Sequence, residues 1–393
     1  MRQHTTQDRL PALAARVIAA ASRAKPADAV LRETLRTAGG LTAAESREVS
    51  GAVFAYYRWL GWLDRKRTAP EQVAQARELA RLFEDAPEEF FDDESRARVV
   101  PAWTGQEIEI TPAWVGAIQS EPVLWLRARR GQAGALARRL GAGAMLAQAA
   151  AAETGEFTLP DAVLYDGEED LFRTAEFQAG EFEIQDISSQ AVGLLCAPKA
   201  GETWWDACAG EGGKTLHLSN LMQNKGQIWA SDRAEWRLKR LKLRAGRADC
   251  FNYRAVLWDG GERLPVRTKF DGVLVDAPCS GTGTWQRNPH ARWTTTPEDV
   301  RELAELQKRL LANVAAAVKP GGKLIYAVCT LTRSETSAVA EAFSAAHPEF
   351  APLPMANPFR PSATPSPWLW FWPQDTGGNG MFVAAWRRGG SQR

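Results

Sequence analysis

Residues 206–215 read Asp206-Ala207-Cys208-Ala209-Gly210-Glu211-Gly212-Gly213-Lys214-Thr215. Three glycines within four positions let the backbone turn sharply and approach a ligand closely, where side chains would obstruct it. The run lies between an apolar strand and a helical stretch, so it is a strand-to-helix turn. Working outward, the pattern predicts strands at 203–207, 227–231, 253–257, 270–275 and 323–328 with helices between them. The clearest helix is 297–318, where Thr296 can cap, Pro297 sits in the first turn, and Leu303, Leu306, Leu310, Leu311 and Val314 share one face. Regular strand-helix alternation of this kind predicts an α/β fold with a mostly parallel, doubly wound sheet.

Two acids narrow the ligand of the glycine turn. Asp232 lies 20 residues past Gly212 at the end of the next strand, where a carboxylate can accept hydrogen bonds from both hydroxyls of a ribose. Asp259 follows the third strand, near where an adenine amino group would lie. Acids at successive strand ends favour an adenosine-bearing ligand. The phosphate-cradling spacing G-x-x-x-x-G-K-[ST] is not met, because Cys208 stands five residues before Gly213. S-adenosylmethionine, which carries adenosine without phosphates, fits these features.

Residues 270–283 read F-D-G-V-L-V-D-A-P-C-S-G-T-G, an apolar strand delivering Asp276, Pro278 and Cys279 to its carboxyl end. Residues 323–331, K-L-I-Y-A-V-C-T-L, deliver Cys329 in the same way. Open α/β sheets bind ligands at the carboxyl ends of their strands, so both thiols are expected at one crevice. A lone cysteine at a strand end reads as a small buried hydrophobe. Two beside a ligand loop read as chemistry.

With these motifs the sequence resembles the RsmB/Sun family of RNA cytosine-5 methyltransferases, whose fourth motif carries P-C and whose sixth carries a second cysteine, usually in T-C-[ST]. Pro278-Cys279 and Cys329-Thr330 occupy those places. The likeness extends through Ile184-Gln185-Asp186-Ile187-Ser188-Ser189-Gln190, Glu305-Leu306-Gln307 and Lys319-Pro320-Gly321-Gly322, and covers about residues 180–393. Two departures stand out: Glu211 occupies the proline position of the family's A-P-G-G-K, adding a charge beside the loop, and Val328 replaces the threonine before the second cysteine.

The resemblance implies a Rossmann-like class I methyltransferase sheet and a covalent mechanism. Cys329 is the expected nucleophile toward carbon-6 of cytosine, Cys279 the group that assists release, and Asp276 the contact to the ring nitrogen and amino edge. S-adenosylmethionine is expected on Cys208, Ala209, Gly210, Glu211, Gly212, Gly213, Lys214, Asp232, Asp259 and Asp276, with no metal. The expected partner is RNA, with 16S ribosomal RNA the family's commonest substrate for this domain order and transfer RNA an open alternative. Two rival readings are a DNA cytosine-5 methyltransferase, which would use the P-C cysteine as nucleophile, and a non-catalytic ribosomal RNA-binding protein.

At 393 residues the chain exceeds what one hydrophobic core usually serves, so several domains are expected. Stripes at Leu10, Leu13, Val17 and Ile18, and at Val53, Tyr56, Tyr57 and Leu60, predict a helical module over 1–100, closed by the acidic, aromatic stretch 84–94. The family would make it a NusB-like RNA-binding domain. A small α/β subdomain contacting RNA is expected over 101–180, with a strand at 123–127, a helix at 132–140 and another in the alanine run 147–152. The catalytic domain then spans 181–393. Its proline- and tryptophan-rich stretch 352–373 reads as an irregular connection, followed by a turn at 377–380 and an antiparallel edge strand at 381–386.

Hydrophobic residues at 45% and charged residues at 24% are ordinary for a soluble globular chain. No run approaches the roughly 20 apolar residues of a membrane span, and Arg16 interrupts the one stretch resembling a leader, so a cytoplasmic monomer is expected. The five cysteines are odd in number and contain no C-x-x-C pair, which argues for free thiols rather than disulfides or zinc. A net charge of +1 means that any RNA site is a local patch. Candidates are Arg127, Arg129, Arg130, Arg138 and Arg139, and separately Arg237, Lys239, Arg240, Lys242, Arg244 and Arg247. The loop with Trp285, Arg287, Asn288, Pro289, His290, Arg292 and Trp293 is expected near substrate from its position after Cys279.

Overall fold

Apolar residues three and four apart fold the N-terminal part into α1 (Thr6–Ala20), α2 (Ala27–Ala38), α3 (Ala43–Arg58) and α4 (Ala69–Asp85). The structure, a computed structural model, describes residues 6–87, 90, 97–147 and 157–390. Two units result, Met1–Pro122 with Thr284–Pro297, and Val123–Gly283 with Glu298–Arg393. The helical unit therefore runs past the boundary expected near residue 100. Most of the stretch 88–96 and the alanine run from 148 onward lie outside the described residues.

In the first unit α3 opens with a reciprocal cap. The Glu45 N–H donates to Thr42 Oγ1 at 3.1 Å while the Thr42 N–H donates to Glu45 Oε2 at 2.7 Å, and Thr68 with Glu71 repeats the device on α4. Leu13, Val17, Val30, Val49, Val53, Trp59 and Val73 form the core between these helices. The unit is completed by α5 (Pro112–Gln119) and the short helix Pro289–Thr294.

Arg292, on that short helix, is fully buried. Its guanidinium donates to the carbonyls of Ile118 at 2.7 Å and Val99 at 3.1 Å and to Gln119 Oε1 at 2.6 Å. Burial, and secondarily the Arg58 charge, pushes its pKa down to about 9. Trp293 Nε1 donates to the Tyr57 carbonyl at 2.6 Å, and the His290 ring meets Tyr57 edge-on at 4.7 Å. Trp285 is buried beside Trp103 and Trp114. The loop expected at substrate thus places His290, Arg292, Trp285 and Trp293 in packing roles: Trp285 and His290 are buried, Trp293 is half-buried, and the terminal nitrogens of Arg292 are taken by carbonyl oxygens.

The second unit begins with four antiparallel strands, β1 (Leu124–Ala128), β2 (Ala144–Leu146), β3 (Ala162–Tyr165) and β4 (Phe182–Ile184), in the order β2-β3-β1-β4. Helix α6 (Ala133–Leu140) packs Leu136 among Leu126, Val163 and Phe182.

The main sheet has eight strands: β5 (Thr203–Asp206), β6 (Gln227–Asp232), β7 (Tyr253–Leu257), β8 (Phe270–Asp276), β9 (Val318–Val328), β10 (Phe350–Pro352), β11 (Trp368–Phe371) and β12 (Met381–Arg388). Its order is β10-β12-β9-β8-β5-β6-β7, with β11 also paired to β12. Strands β5 to β9 are parallel to one another, and β12 runs antiparallel to β9, β10 and β11.

Side chains alternate between the two faces of a strand, and here alternate residues enter two cores. Trp204, Leu274, Ile325, Ala327, Val383 and Ala385 pack on one face with α7 (Ile187–Cys196). Trp205, Val273, Val275, Leu324, Tyr326, Phe382 and Trp386 pack on the other with α8 (Pro297–Ala315) and α9 (Ser337–Ala346). A sheet buried on both faces needs near-continuous apolar strands, which is what these are.

Two expectations change. β12 is not an edge strand: Met381 to Trp386 are all buried, and the supposedly irregular stretch before it supplies β11, which covers its flank. β9 starts at Val318 rather than 323, because Val318 pairs with Phe270 before a bulge carries Lys319 to Gly322 out of the ladder. Among the described residues, no helix is long and apolar enough to cross a membrane.

Replacing Arg292 by alanine removes three short hydrogen bonds and leaves buried acceptors without partners. A loss of about 3–5 kcal/mol in unfolding free energy is expected, read from the urea midpoint; a midpoint equal to the parent's would contradict this account of the helical unit.

Candidate active site

Parallel strands deliver their following loops to one side of the sheet, and the loops after β5, β6, β7, β8 and β9 line one cavity of about 530 Å³ there. That size is in the range of sites for nucleoside-sized ligands. Of the residues singled out in the sequence, Cys208, Ala209, Gly210, Glu211, Gly213, Lys214, Asp232, Asp259, Asp276, Cys279 and Cys329 border it; Gly212 does not.

Gly212 supports the turn from behind. Its φ is 89°, and a Cβ there would lie 2.6 Å from Leu241 Cγ, so only glycine fits the start of the helix Gly213–Leu221. The Gly212 N–H donates to the Ala209 carbonyl at 2.9 Å, and the Gly210 N–H to Asp232 Oδ2 at 3.1 Å. Asp232 Oδ1 accepts from the Ala234 N–H at 2.8 Å, which fixes the carboxylate while leaving lone pairs for further donors. Asp259 is held by the Gly261 N–H at 2.8 Å. The Glu211 side chain turns toward Arg240 at 3.6 Å, and its carbonyl accepts from Arg244 at 3.1 Å, so the charge added by this departure from the family pattern is partly balanced. Val328 is buried in the core on the α8 face.

The floor of the cavity is strongly charged. Lys214 Nζ donates to Asp276 Oδ2 at 2.6 Å. Burial alone would lower the lysine, but Asp276 outweighs it and its pKa is raised, so the ammonium persists. Asp206, at the end of β5, is fully buried; Thr215 Oγ1 donates to its Oδ2 at 2.6 Å, and its Oδ1 has no hydrogen-bond partner among the described residues. Burial pushes Asp206 up to about 7, with Asp276 and Asp232 adding to the effect and the Thr215 hydroxyl opposing it.

Cys279 Sγ and Cys329 Sγ lie 3.4 Å apart. Their common hydrogen bond lowers the pKa of Cys329 and raises that of Cys279 well above the usual thiol range, burial and the neighbouring thiolate adding to the rise. This direction favours the thiolate on Cys329 and the proton on Cys279. Cys208 borders the same cavity, but burial pushes its thiol up.

The family profile described as 16S rRNA methyltransferase RsmB/F matches residues 193–387. The Bacillus subtilis (strain 168) protein named "Probable ribosomal RNA small subunit methyltransferase B" is 42% identical over 179 residues, 45% of this chain and 40% of that protein. Its Sodalis glossinidius namesake, "Ribosomal RNA small subunit methyltransferase B", is 32% identical over 298 residues, 73% of this chain and 63% of that protein. The chain belongs to the RsmB/F family. It spans less than two thirds of the length of these curated RsmB/F relatives. The solved structure described as "Crystal Structure of PH0851" aligns with 99% of this chain and all of its own at a TM-score of 0.78 and 21% identity, a likeness of fold.

Beyond the motif residues, this RsmB/F site contains groups that the sequence reading passed over. Gln307 was noted only within Glu305-Leu306-Gln307, yet it is buried and its Nε2 donates to the Pro278 carbonyl at 2.9 Å, next to Cys279. Glu335 is buried beyond Cys329 and is reached by side chains from three segments. The T-x-x-E spacing of Thr332 and Glu335 was the available signal. Several side chains of the basic clusters have partners within the protein. Arg244 and Arg247 grip the buried Glu183, Lys239 pairs with Glu235, and Arg139 pairs with Glu181; Arg127 is buried against Gln185 and the Gly213 carbonyl, and Arg129 binds the Gly180 carbonyl.

Asp206 offers a pH test. Its folded pKa, about 7, lies above its unfolded value, so its stabilising contribution is complete below about pH 4 and is lost as pH rises through 7. Asp206→Asn removes that titration, and the decline in unfolding free energy between pH 4 and 8 should shrink by on the order of 2–4 kcal/mol. Parallel pH profiles for parent and variant would show that Asp206 is ionised throughout.

Proposed function

We propose that the chain is an S-adenosylmethionine-dependent RNA cytosine-5 methyltransferase acting on small-subunit ribosomal RNA through a covalent adduct on Cys329. The observation that carries this reading is the pair of thiols 3.4 Å apart, with Cys329 favoured as thiolate, beside the Lys214–Asp276 pair in a nucleoside-sized cavity. Family membership and the names of the matched relatives support ribosomal RNA as substrate.

The residues present fit the methyl donor. Asp232 has acceptor capacity for ribose hydroxyls, Asp259 lies where an adenine amino group can be met, and Leu306, Leu310 and Trp258 form an apolar wall suited to a purine. Asp276 supplies negative charge for a cation, and the buried Asp206 Oδ1 lacks a partner among the described residues. S-adenosylmethionine, when bound, supplies the methyl group on an electrophilic sulfonium.

Carbon-5 of cytosine is a poor nucleophile, and covalent catalysis divides the reaction into easier steps. The Cys329 thiolate forms a bond to carbon-6, and the electrons of the 5,6 double bond move toward carbon-5 and into the ring. Asp276, with the Lys214 ammonium beside it, meets the ring nitrogen and amino edge and favours protonation there as that density builds. With carbon-5 methylated, transfer of its hydrogen as a proton to a water molecule restores the double bond as the electron pair of the carbon-6 to sulfur bond leaves with the Cys329 sulfur. The neutral Cys279 thiol is in place to donate to the departing Cys329 sulfur. The target base has to leave its stack, which single-stranded or looped RNA makes less costly. The helical unit and the four-stranded sheet are assigned to RNA contact on the family resemblance.

Labelled methyl transfer to unmodified ribosomal and transfer RNA tests the reading. Cys329→Ala is expected to abolish transfer, a loss of at least about 1000-fold as for an essential nucleophile, and Cys279→Ala to leave RNA covalently attached to the protein on a denaturing gel. Full activity in Cys329→Ala with none in Cys279→Ala would instead indicate the single-cysteine arrangement of the DNA enzymes.

A further inference from the structure

Glu335 has no role in the steps above, yet it is fully buried and its carboxylate accepts five hydrogen bonds. Oε1 accepts from the Ser280 N–H at 2.9 Å and from Gln307 Nε2 at 3.0 Å. Oε2 accepts from the Ser280 hydroxyl, from Thr332 Oγ1 at 2.8 Å and from Thr330 Oγ1 at 3.1 Å. A buried carboxylate is costly unless its lone pairs are met in this way.

The identity of the donors gives the arrangement its meaning. Ser280 follows Cys279, and Thr330 follows Cys329, so the two loops that carry the thiols are tied to one anion. Gln307 adds a third tie through its bond to the Pro278 carbonyl, on the other side of Cys279. Thr282 Oγ1 lies 2.8 Å from Thr330 Oγ1 and accepts from the Leu331 N–H at 2.9 Å, bracing the same two loops again.

We propose that Glu335 is a positioning residue whose carboxylate holds the Cys279 thiol against Cys329 Sγ, so that the methylated base can be released. The inference rests on the two-cysteine reading above and deepens it. Strand pairing ends at Asp276 and Ala327, and past that point the thiol separation depends on these loop contacts. The five donors are neutral, so the negative charge of Glu335 is not cancelled. It adds to Asp276 in resisting ionisation of the pair, while Lys214 favours it on the Cys329 side. A second thiolate beside the first is thereby disfavoured.

A merely structural glutamate would be needed for folding and would leave the relative reactivity of the thiols unchanged. Two measurements on the full chain separate the possibilities. Without RNA or cofactor, iodoacetamide near pH 8 followed by peptide mapping should alkylate Cys329 faster than Cys279, and Glu335→Ala should cut that preference at least about fivefold through the thiolate fraction. Glu335→Gln keeps the shape and one accepting oxygen and should fall between; it carries the test if the alanine variant does not fold. In the methyl-transfer assay Glu335→Ala should slow turnover with little change in the KM for S-adenosylmethionine and retain covalent RNA, and the adduct should vanish when Cys329→Ala is added. An unchanged alkylation preference in a folded variant, or adduct-free turnover at the parent rate, overturns the proposal. A drop in preference from a parent that methylates no RNA supports the positioning role and removes the proposed function instead.

Discussion

The site depends first on the parallel pairing of β8 with β9 in the register that sets Asp276 opposite Ala327. From those partners the chain runs three residues on one strand and two on the other to reach Cys279 and Cys329. The Ala277 N–H donates to the Ala327 carbonyl at 3.0 Å, which continues the ladder one step into the loops before they part. A slip of one residue on β9 would send Ile325 and Ala327 to the α8 face and Leu324, Tyr326 and Val328 to the other. Both cores would then receive side chains of the wrong shape. Packing distant from the chemistry therefore fixes where the thiols emerge.

Beyond the ladder a second set of contacts takes over. The Gly283 N–H donates to the Cys329 carbonyl at 3.1 Å, and the Gly283 carbonyl accepts from the Gly380 N–H at 2.8 Å. A Cβ on Gly283 would lie 2.0 Å from the Gly380 oxygen, so the backbones meet here only because neither residue has a side chain. This contact links the loop before β12 to both cysteine loops, and it gives the interior placement of β12 a consequence at the site.

The parts of this architecture with a local cause were readable in the sequence. The apolar runs of β5 to β8 lay close to their observed limits, and the glycine turn was marked by residues whose backbone freedom has few other uses. The cysteines were found because strand ends are countable. What could not be read was set by contacts distant in sequence. The pairing of Lys214 with Asp276 joins residues 62 apart, and the bond from Ser280 to Glu335 spans 55. The loop 285–293 looked like a substrate contact because it follows Cys279. Nothing local reveals that Arg292 donates to carbonyls near residue 118. The basic clusters show a related limit, since a run of arginines looks alike whether its partners are phosphates or, as for Arg244 and Arg247, one buried glutamate.

Two thiols solve a conflict that one thiol faces. A good nucleophile for carbon-6 must ionise readily near neutral pH, whereas assistance to a departing sulfur requires a neighbour that still holds its proton. One environment cannot give both properties to a single group. Here the shared proton divides them, lowering Cys329 and raising Cys279. The division requires contact, because a hydrogen bond to sulfur weakens steeply as the groups separate or misalign. The charges around Cys329 are mixed, Asp276 opposing its ionisation more than Lys214 favours it, and Glu335 is bonded to the residue that follows each cysteine. On the proposed mechanism, contact and register together let two chemically identical side chains take opposite roles.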